Sequence, residues 1–141
     1  MVFKAKQKGS TFERDAVELL DKAIKGSKFR RIPGSGALGT TMAESLLTGD
    51  LSGKIDLFPK TLKGEAKCGY NSSSVVGVKQ FTLKKEWLDK IIEEANNNYS
   101  LPFLIGKFSG ARSGVKEFIV LDVETFATLI NLYTELMASL E

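Results

Sequence analysis

Glu65 and Lys67 lie two residues apart within residues 64–68, which read Gly-Glu-Ala-Lys-Cys. Side chains alternate between the two faces of a β-strand, so a strand here places Glu65 beside Lys67 and turns the intervening alanine to the other face. Two aspartates, Asp50 and Asp56, precede this segment. Carboxylate oxygens suit a hard divalent cation, and a lysine can orient and polarise an attacking water. The pattern is therefore typical of metal-dependent phosphodiester hydrolysis.

A third carboxylate, Glu13, lies in a segment with helical periodicity that begins at Gly9-Ser10 and ends at Gly26. Ser10 and Glu13 have the spacing of a capping box, in which the glutamate side chain accepts a hydrogen bond from the Ser10 backbone N–H. A helical wheel also places Glu13 within the apolar arc, above Leu20 and Ile24, where a carboxylate needs a partner or a metal ion. Cap and ligand remain two alternative roles for this residue.

Composition excludes several classes of site. The 141 residues include no histidine and one cysteine, Cys68, which rules out disulfide frameworks, zinc fingers and histidine-based catalysis. The net charge of +3 tilts weakly towards a polyanionic partner. The N-terminus lacks the apolar run of a signal peptide, and no segment approaches the length of a membrane span. We expect one domain, residues 1–141, in the reducing cytoplasm, with no membrane association and no small-molecule cofactor.

The elements that must position these groups are strands and a Gly-rich loop that follows basic residues. A short strand over 28–32 leads into a Gly-rich turn over 33–37, and 40–47 is either a short helix or a loop. A hairpin is expected with strands at 51–58 and 62–68. Asp50 and Asp56 occupy positions of the same parity on the first of these strands, so alternation does not separate them. Hairpin register decides which aspartate joins Glu65.

The second half of the chain predicts a Gly/Ser-rich connection over 69–79, a helix capped by Thr82, strands at 102–108 and 115–121, and a last helix capped by Asp122. Trp87 lies on the apolar stripe of the first of these helices, which favours a core position over a base-stacking platform. The last helix has an apolar side that serves as core or as interface. The order α, β, β, β, α, β, β, α indicates an α/β fold with helices flanking a central mixed sheet.

The order Glu13, then Asp50 or Asp56, then Glu65-Ala66-Lys67 resembles the PD-(D/E)xK nuclease superfamily. The Lys8-Gly9 pair ahead of the glutamate helix and the Arg-x-Pro-Gly-Ser-Gly segment over 31–36 look like the archaeal-type Holliday-junction resolvases and their phage relatives. The resemblance covers the first half of the chain well and the later elements in order only. It implies a restriction-endonuclease-like fold and is compatible with a phage origin.

The resemblance also implies a mechanism. Mg²⁺, for which Mn²⁺ can substitute, would be held by Asp50 and Glu65 with Glu13 nearby, Lys67 would lie at the attacking water, and Ser35 would lie near the scissile strand. A homodimer would cut two strands of a four-way DNA junction symmetrically. The residues expected to contact DNA are Lys8, Arg30, Arg31, Gly34, Ser35, Gly36 and Lys79.

Two features depart from the family pattern. Gly49 stands where a proline usually precedes the aspartate, and residues 37–48 resemble an insertion. We place Asp50 in the motif because Gly49-Asp50 opens the strand, and Asp56 is the alternative if the hairpin is shorter. Two other functions are compatible with the pattern: a superfamily nuclease acting on branched, nicked or linear DNA, and a non-catalytic DNA-binding protein on the same fold.

Overall fold

The computed structural model describes residues 2–32, 50–69 and 80–141, with side chains from residue 11 onward. Three helices lie in these ranges, α1 (Val2–Ala23), α2 (Lys85–Asn97) and α3 (Val123–Ser139). Five strands accompany them: β1 (Ser27–Arg31), β2 (Leu51–Ile55), β3 (Leu62–Cys68), β4 (Leu101–Lys107) and β5 (Glu117–Val120). Their order along the chain is the predicted one.

The strands form one mixed sheet in the order β1-β2-β3-β4-β5. Strands β3 and β4 are parallel, and the other neighbours are antiparallel. Parallel neighbours need a long crossover connection, and α2 lies in the segment that joins β3 to β4. The predicted α/β fold with a central mixed sheet and flanking helices is confirmed.

Helix α1 packs on one face of the sheet, which we call the α1 face. Phe12, Ala16 and Leu20 are buried there against aromatic rings of β1 and β4. Two glycines make room for those rings, because a Cβ added to Gly53 or Gly64 would lie 2.3 or 2.2 Å from the nearest ring carbon. The helical periodicity of α1 and the small residues of the sheet together make this core.

Helix α2 packs on the opposite face, over β3 and β4, and we call this the α2 face. Its Ile91 and Ala95 have no exposed surface. Because odd-numbered residues of β3 point to this side, the helix covers Glu65 and Lys63, which are 2% and 4% exposed. A strand face that reads as polar in the sequence is therefore largely buried.

The beginnings of two helices differ from the prediction. Helix α1 starts at Val2, so the predicted start at Gly9-Ser10 is wrong. Ser10 lies inside the helix, and of the two alternatives for Glu13 the capping box does not apply. The intervening lysines, alanine and glutamine are good helix formers, which lets the helix extend through Gly9. Thr82 does not cap α2, whose N-cap is Lys84 and has no side-chain cap bond.

Strand β2 ends three residues earlier than predicted. Asp56 and Leu57 form a turn, with Leu57 at φ 66° and the Phe58 N–H donating to the Ile55 carbonyl at 3.0 Å. A positive φ is incompatible with a β-ladder, so pairing stops at Ile55. Predictions for residues 33–37, 40–47 and 70–79 lie outside the described residues. In the described parts of the chain, no helix combines the length and apolar character needed to cross a membrane.

The last helix, α3, begins as predicted. The Asp122 carboxylate accepts the Thr125 N–H at 3.4 Å, which satisfies one of the free amides at the helix start. Its apolar residues are largely exposed: Phe126, Ile130, Tyr133, Leu136, Met137 and Leu140 are 45–72% accessible. In the described part of the chain this side of α3 is exposed and is not part of the core, and its role as an interface stays a prediction.

Candidate active site

Hairpin register brings Asp50 to Glu65. Leu51 pairs with Gly64 across β2 and β3, so Asp50 lies opposite Glu65 one step further along. The Asp50 N–H donates to the Gly64 carbonyl at 3.0 Å, and Asp50 Oδ2 accepts the Ala66 N–H at 3.1 Å. The two carboxylates therefore lie at the same end of the sheet on neighbouring strands.

Asp56 lies at the other end of β2. It is exposed, and its N–H donates to the Gly26 carbonyl at 2.9 Å, in the turn after α1. The five residues of β2 separate it from Asp50. The geometry thus favours Asp50 over Asp56 as the aspartate of the predicted site.

Glu65 is a buried carboxylate with two lysines at one oxygen. Its Oε1 lies 3.4 Å from Lys67 Nζ and 3.7 Å from Lys90 Nζ, and its side chain is 3% exposed. Burial, followed by the negative charge of Asp50, raises the pKa of Glu65 to about 7, against the opposing effects of Lys90 and Lys67. The other oxygen, Oε2, is buried and has no hydrogen-bond partner among the described residues.

This unpartnered oxygen bears on whether a metal ion fits. Within the described ranges, no three carboxylate, cysteine or histidine side chains are gathered as a ready-made metal cluster. Mg²⁺, however, commonly binds through one or two carboxylates and completes its shell with water and substrate phosphate. Asp50 and Glu65 meet that requirement, because they are adjacent and no described residue hydrogen-bonds to Glu65 Oε2. They are the side chains that would hold the ion.

Glu13 reaches the same end of the sheet from α1. Its Oε2 accepts a hydrogen bond from Arg31 Nε at 3.2 Å and lies 3.2 Å from Arg31 Nη2. Burial and then the charge of Asp50 raise the pKa of Glu13, while Arg31 opposes the shift. Glu13 is therefore a partner of Arg31 and a neighbour of Asp50, and its role as a metal ligand stays a prediction.

Helix α2 adds two residues that sequence reasoning did not assign to the site. The Trp87 ring centroid lies 4.9 Å from Lys67 Nζ, and Lys90 contacts Glu65 from the next turn. Trp87 and Lys90 are three positions apart and so project from the same side of a helix. That spacing was readable in the sequence, but nothing local indicated that α2 lies over β3.

The other residues predicted to contact DNA lie partly within and partly outside the described residues. Arg30 is exposed on the α2 face of β1. For Lys8 the structure describes only helical backbone. Gly34, Ser35, Gly36 and Lys79 lie outside the described residues. Their predicted contacts with DNA stay predictions.

Comparison with known proteins bears on the family. The profile of a family described as "Phage putative PDDEXK endonuclease" matches residues 4–139, nearly the whole chain. No curated protein sequence gives a significant match. Among solved structures, Hjc of Archaeoglobus fulgidus, a Holliday junction resolvase from an archaeal hyperthermophile, aligns with a TM-score of 0.48 and 18% identity. That alignment covers 86% of this chain and 88% of Hjc.

The family match and the geometry agree on the class of protein. Two strand-borne acids, a lysine two residues after the second acid and a mixed sheet with flanking helices occur together in this chain. The chain belongs to the family of phage PDDEXK endonucleases, and its fold is the restriction-endonuclease-like fold predicted for it.

Proposed function

We propose that this nuclease resolves four-way DNA junctions as a homodimer, by Mg²⁺-dependent paired cuts of the phosphodiester backbone. One observation carries the catalytic part: Asp50 lies opposite Glu65 across β2 and β3, with Lys67 Nζ 3.4 Å from Glu65. A buried and a half-buried carboxylate beside a lysine can hold a divalent cation and orient a water at one place.

The chain's own residues have separate tasks in this proposal. Asp50 and Glu65 hold the cation, which supplies positive charge where negative charge develops on the phosphate. Lys67 orients the attacking water, and the face of Trp87 keeps its ammonium beside Glu65. With no histidine in the chain, no imidazole competes for that task. Arg31 holds Glu13 next to the acids.

Specificity for junctions rests on the resemblance to archaeal-type resolvases in the Lys8-Gly9 pair and in residues 31–36.

Paired cutting needs two sites in fixed relation, and α3 offers a surface for association. Apolar residues at 126, 130, 133, 137 and 140 recur every three or four positions and therefore form one exposed stripe. Monomeric proteins rarely expose a contiguous stripe of this kind without a partner.

Cleavage of synthetic substrates tests this proposal. A four-way junction, a nicked duplex and a linear duplex of shared sequence are incubated with Mg²⁺ and wild type, Glu65→Gln, Lys67→Met or Lys60→Met. We expect junction cleavage by wild type and by Lys60→Met, an exposed change in the β2–β3 turn, and roughly 100-fold or greater loss in the other two. Undiminished cleavage by Glu65→Gln and Lys67→Met would refute the assigned site.

The same experiment separates substrate classes. Mapping the cut positions on both strands distinguishes symmetric paired incision from single nicks. Preference for the nicked or linear duplex would replace junction resolution by another nuclease activity of the family. Equilibrium sedimentation with and without DNA measures the dimer, and a monomer under both conditions would remove the paired-cut mechanism.

A further inference from the structure

Among the residues that the structure describes, a helix covers one half of the α2 face of the sheet, and the charged side chains on the other half are exposed. Helix α2 packs against β3 and β4. On β1 and β2 the side chains of the same face, at positions that alternate with buried Phe29 and Gly53, are those of Lys28, Arg30 and Lys54, and all three are exposed. We call these three residues the basic half-sheet. They line an open concavity between the two strands.

Like charges face each other across this surface. Lys28 is directly opposite Lys54 in the β1–β2 register, and like charges in directly opposed positions destabilise a sheet. Arg30 is opposite Ser52, which is itself opposite Lys63 on β3. A bound anion would offset this repulsion.

The basic half-sheet leads away from the acidic pair. Asp50, Ser52 and Lys54 alternate along β2, and alternate residues of a strand are about 6.6 Å apart. Arg30, opposite Ser52, is therefore about 7 Å along the sheet from Asp50, and the Lys28–Lys54 pair about 13 Å. The basic half-sheet itself spans about 7 Å, from Arg30 to the Lys28–Lys54 pair. One DNA strand advances 3.4 Å per phosphate along the helix axis, so the half-sheet accommodates about two phosphates. At the far end, Asp56 lines the concavity and bounds the positive surface.

We propose that the basic half-sheet of Lys28, Arg30 and Lys54 binds the phosphate backbone of the DNA strand that leaves the cleavage site across β1 and β2. This inference rests on the proposed nuclease function and adds a path for the DNA arm. Flexible ammonium groups and an arginine on a flat sheet suit phosphates rather than base edges, so binding is independent of sequence. An acidic protein surface is the alternative occupant, and the test distinguishes it.

The test uses the full chain in EDTA, so that binding is measured without cleavage. A fluorescent four-way junction and a linear duplex are titrated with wild type and with the triple variant Lys28→Gln/Arg30→Gln/Lys54→Gln over a range of salt. The control Lys22→Gln/Lys25→Gln/Lys60→Gln removes the same charge from exposed residues beyond the concavity. Each lost phosphate contact reduces the slope of log K against log salt by about 0.9, so the half-sheet variant should reduce it by about 2 to 3.

The expected result is at least tenfold weaker DNA binding at low salt for the half-sheet variant and near-wild-type binding for the control. Equal weakening in both variants would mean that net charge alone acts, and wild-type binding by the half-sheet variant would leave this surface to another partner. Either result overturns the proposal. Thermal unfolding of the variant shows that it folds, and relief of like-charge repulsion should leave its Tm equal or higher.

The two proposals fail in different ways. Absence of cleavage by wild type with Mg²⁺, together with binding that depends on the half-sheet, would refute the nuclease function and retain the surface. Cleavage by wild type, together with unchanged binding by the half-sheet variant, would support the nuclease function and refute the role of the half-sheet.

Discussion

The buried carboxylate of Glu65 makes the stability of the metal-free protein dependent on pH. Its pKa is about 7 in the folded protein against an ordinary value of 4.5, a rise of about 2.5. Because the pKa is raised, the folded state retains a proton between these values that the unfolded state has lost. The contribution of Glu65 to the free energy of unfolding is therefore fully present below about pH 4.5 and is lost as the pH rises through about 7.

The magnitude follows from that rise. One pKa unit corresponds to 1.36 kcal/mol, so ionising Glu65 in the folded protein costs about 3 kcal/mol at alkaline pH. Glu65→Gln has the same shape and carries no charge. We expect the variant to gain about 3 kcal/mol in the free energy of unfolding relative to wild type between about pH 4.5 and pH 8. Any effect of the substitution on the free energy of unfolding that does not vary with pH cancels, because only the change between the two pH values is compared.

Urea unfolding in EDTA, followed by circular dichroism at several pH values, measures the effect. Glu93→Gln, which removes an exposed carboxylate of α2, controls for the loss of one negative charge. In a second arm at about pH 8, added Mg²⁺ should raise the Tm of wild type and have little effect on Glu65→Gln, because ligands that bind only the folded state stabilise it. A stability difference that does not change with pH, or one that falls as pH rises, would refute the reasoning.

Four further predictions concern the two aspartates, Trp87, the exposed stripe of α3 and Gly64. Asp50→Asn should reduce DNA cleavage roughly 100-fold or more, whereas Asp56→Asn should change the rate by about twofold at most; the reverse order would restore the alternative aspartate. Trp87→Leu should lower kcat more than DNA affinity, because the ring positions the motif lysine; equal effects on both would contradict that role. Ile130→Glu should raise the dimer dissociation constant about 100-fold in sedimentation without lowering Tm, and unchanged association would exclude the α3 stripe. Gly64→Ala should reduce the free energy of unfolding by about 1–3 kcal/mol in urea titrations, because the added Cβ meets an aromatic ring, and wild-type stability would show that the ring can move.

Local pattern in the sequence was sufficient for much of the architecture. The alternation around Glu65 and Lys67 predicted a strand with both groups on one face, and the apolar periodicity after Asp122 predicted α3. Both signals arise from neighbours within a few residues, where backbone geometry alone relates position to direction. The motif order also indicated the nuclease family that the profile match confirms.

Helix ends were less predictable. Ser10 and Glu13 have the spacing of a capping box, yet the helix continues to Val2 and Glu13 pairs with Arg31 instead. A cap motif is a weak local preference, and the good helix formers before Ser10 let the helix continue past it, which leaves Glu13 free to pair with a residue 18 positions away. Arg31 lies beside Glu13 because β1 packs against α1 in the folded structure.

Which of two aspartates lies beside Glu65 depends on the tertiary structure. Asp50 and Asp56 share strand parity, and the choice between them depends on how β2 pairs with β3, which no local pattern determines. The sequence by itself determined that an acid and a lysine share a strand face. Only the folded sheet, by its register and by the cover of α2, decided that Asp50 joins them and that Glu65 is buried with one oxygen unpartnered among the described residues. Register and burial depend on contacts between segments far apart in the chain, and these exist only after folding.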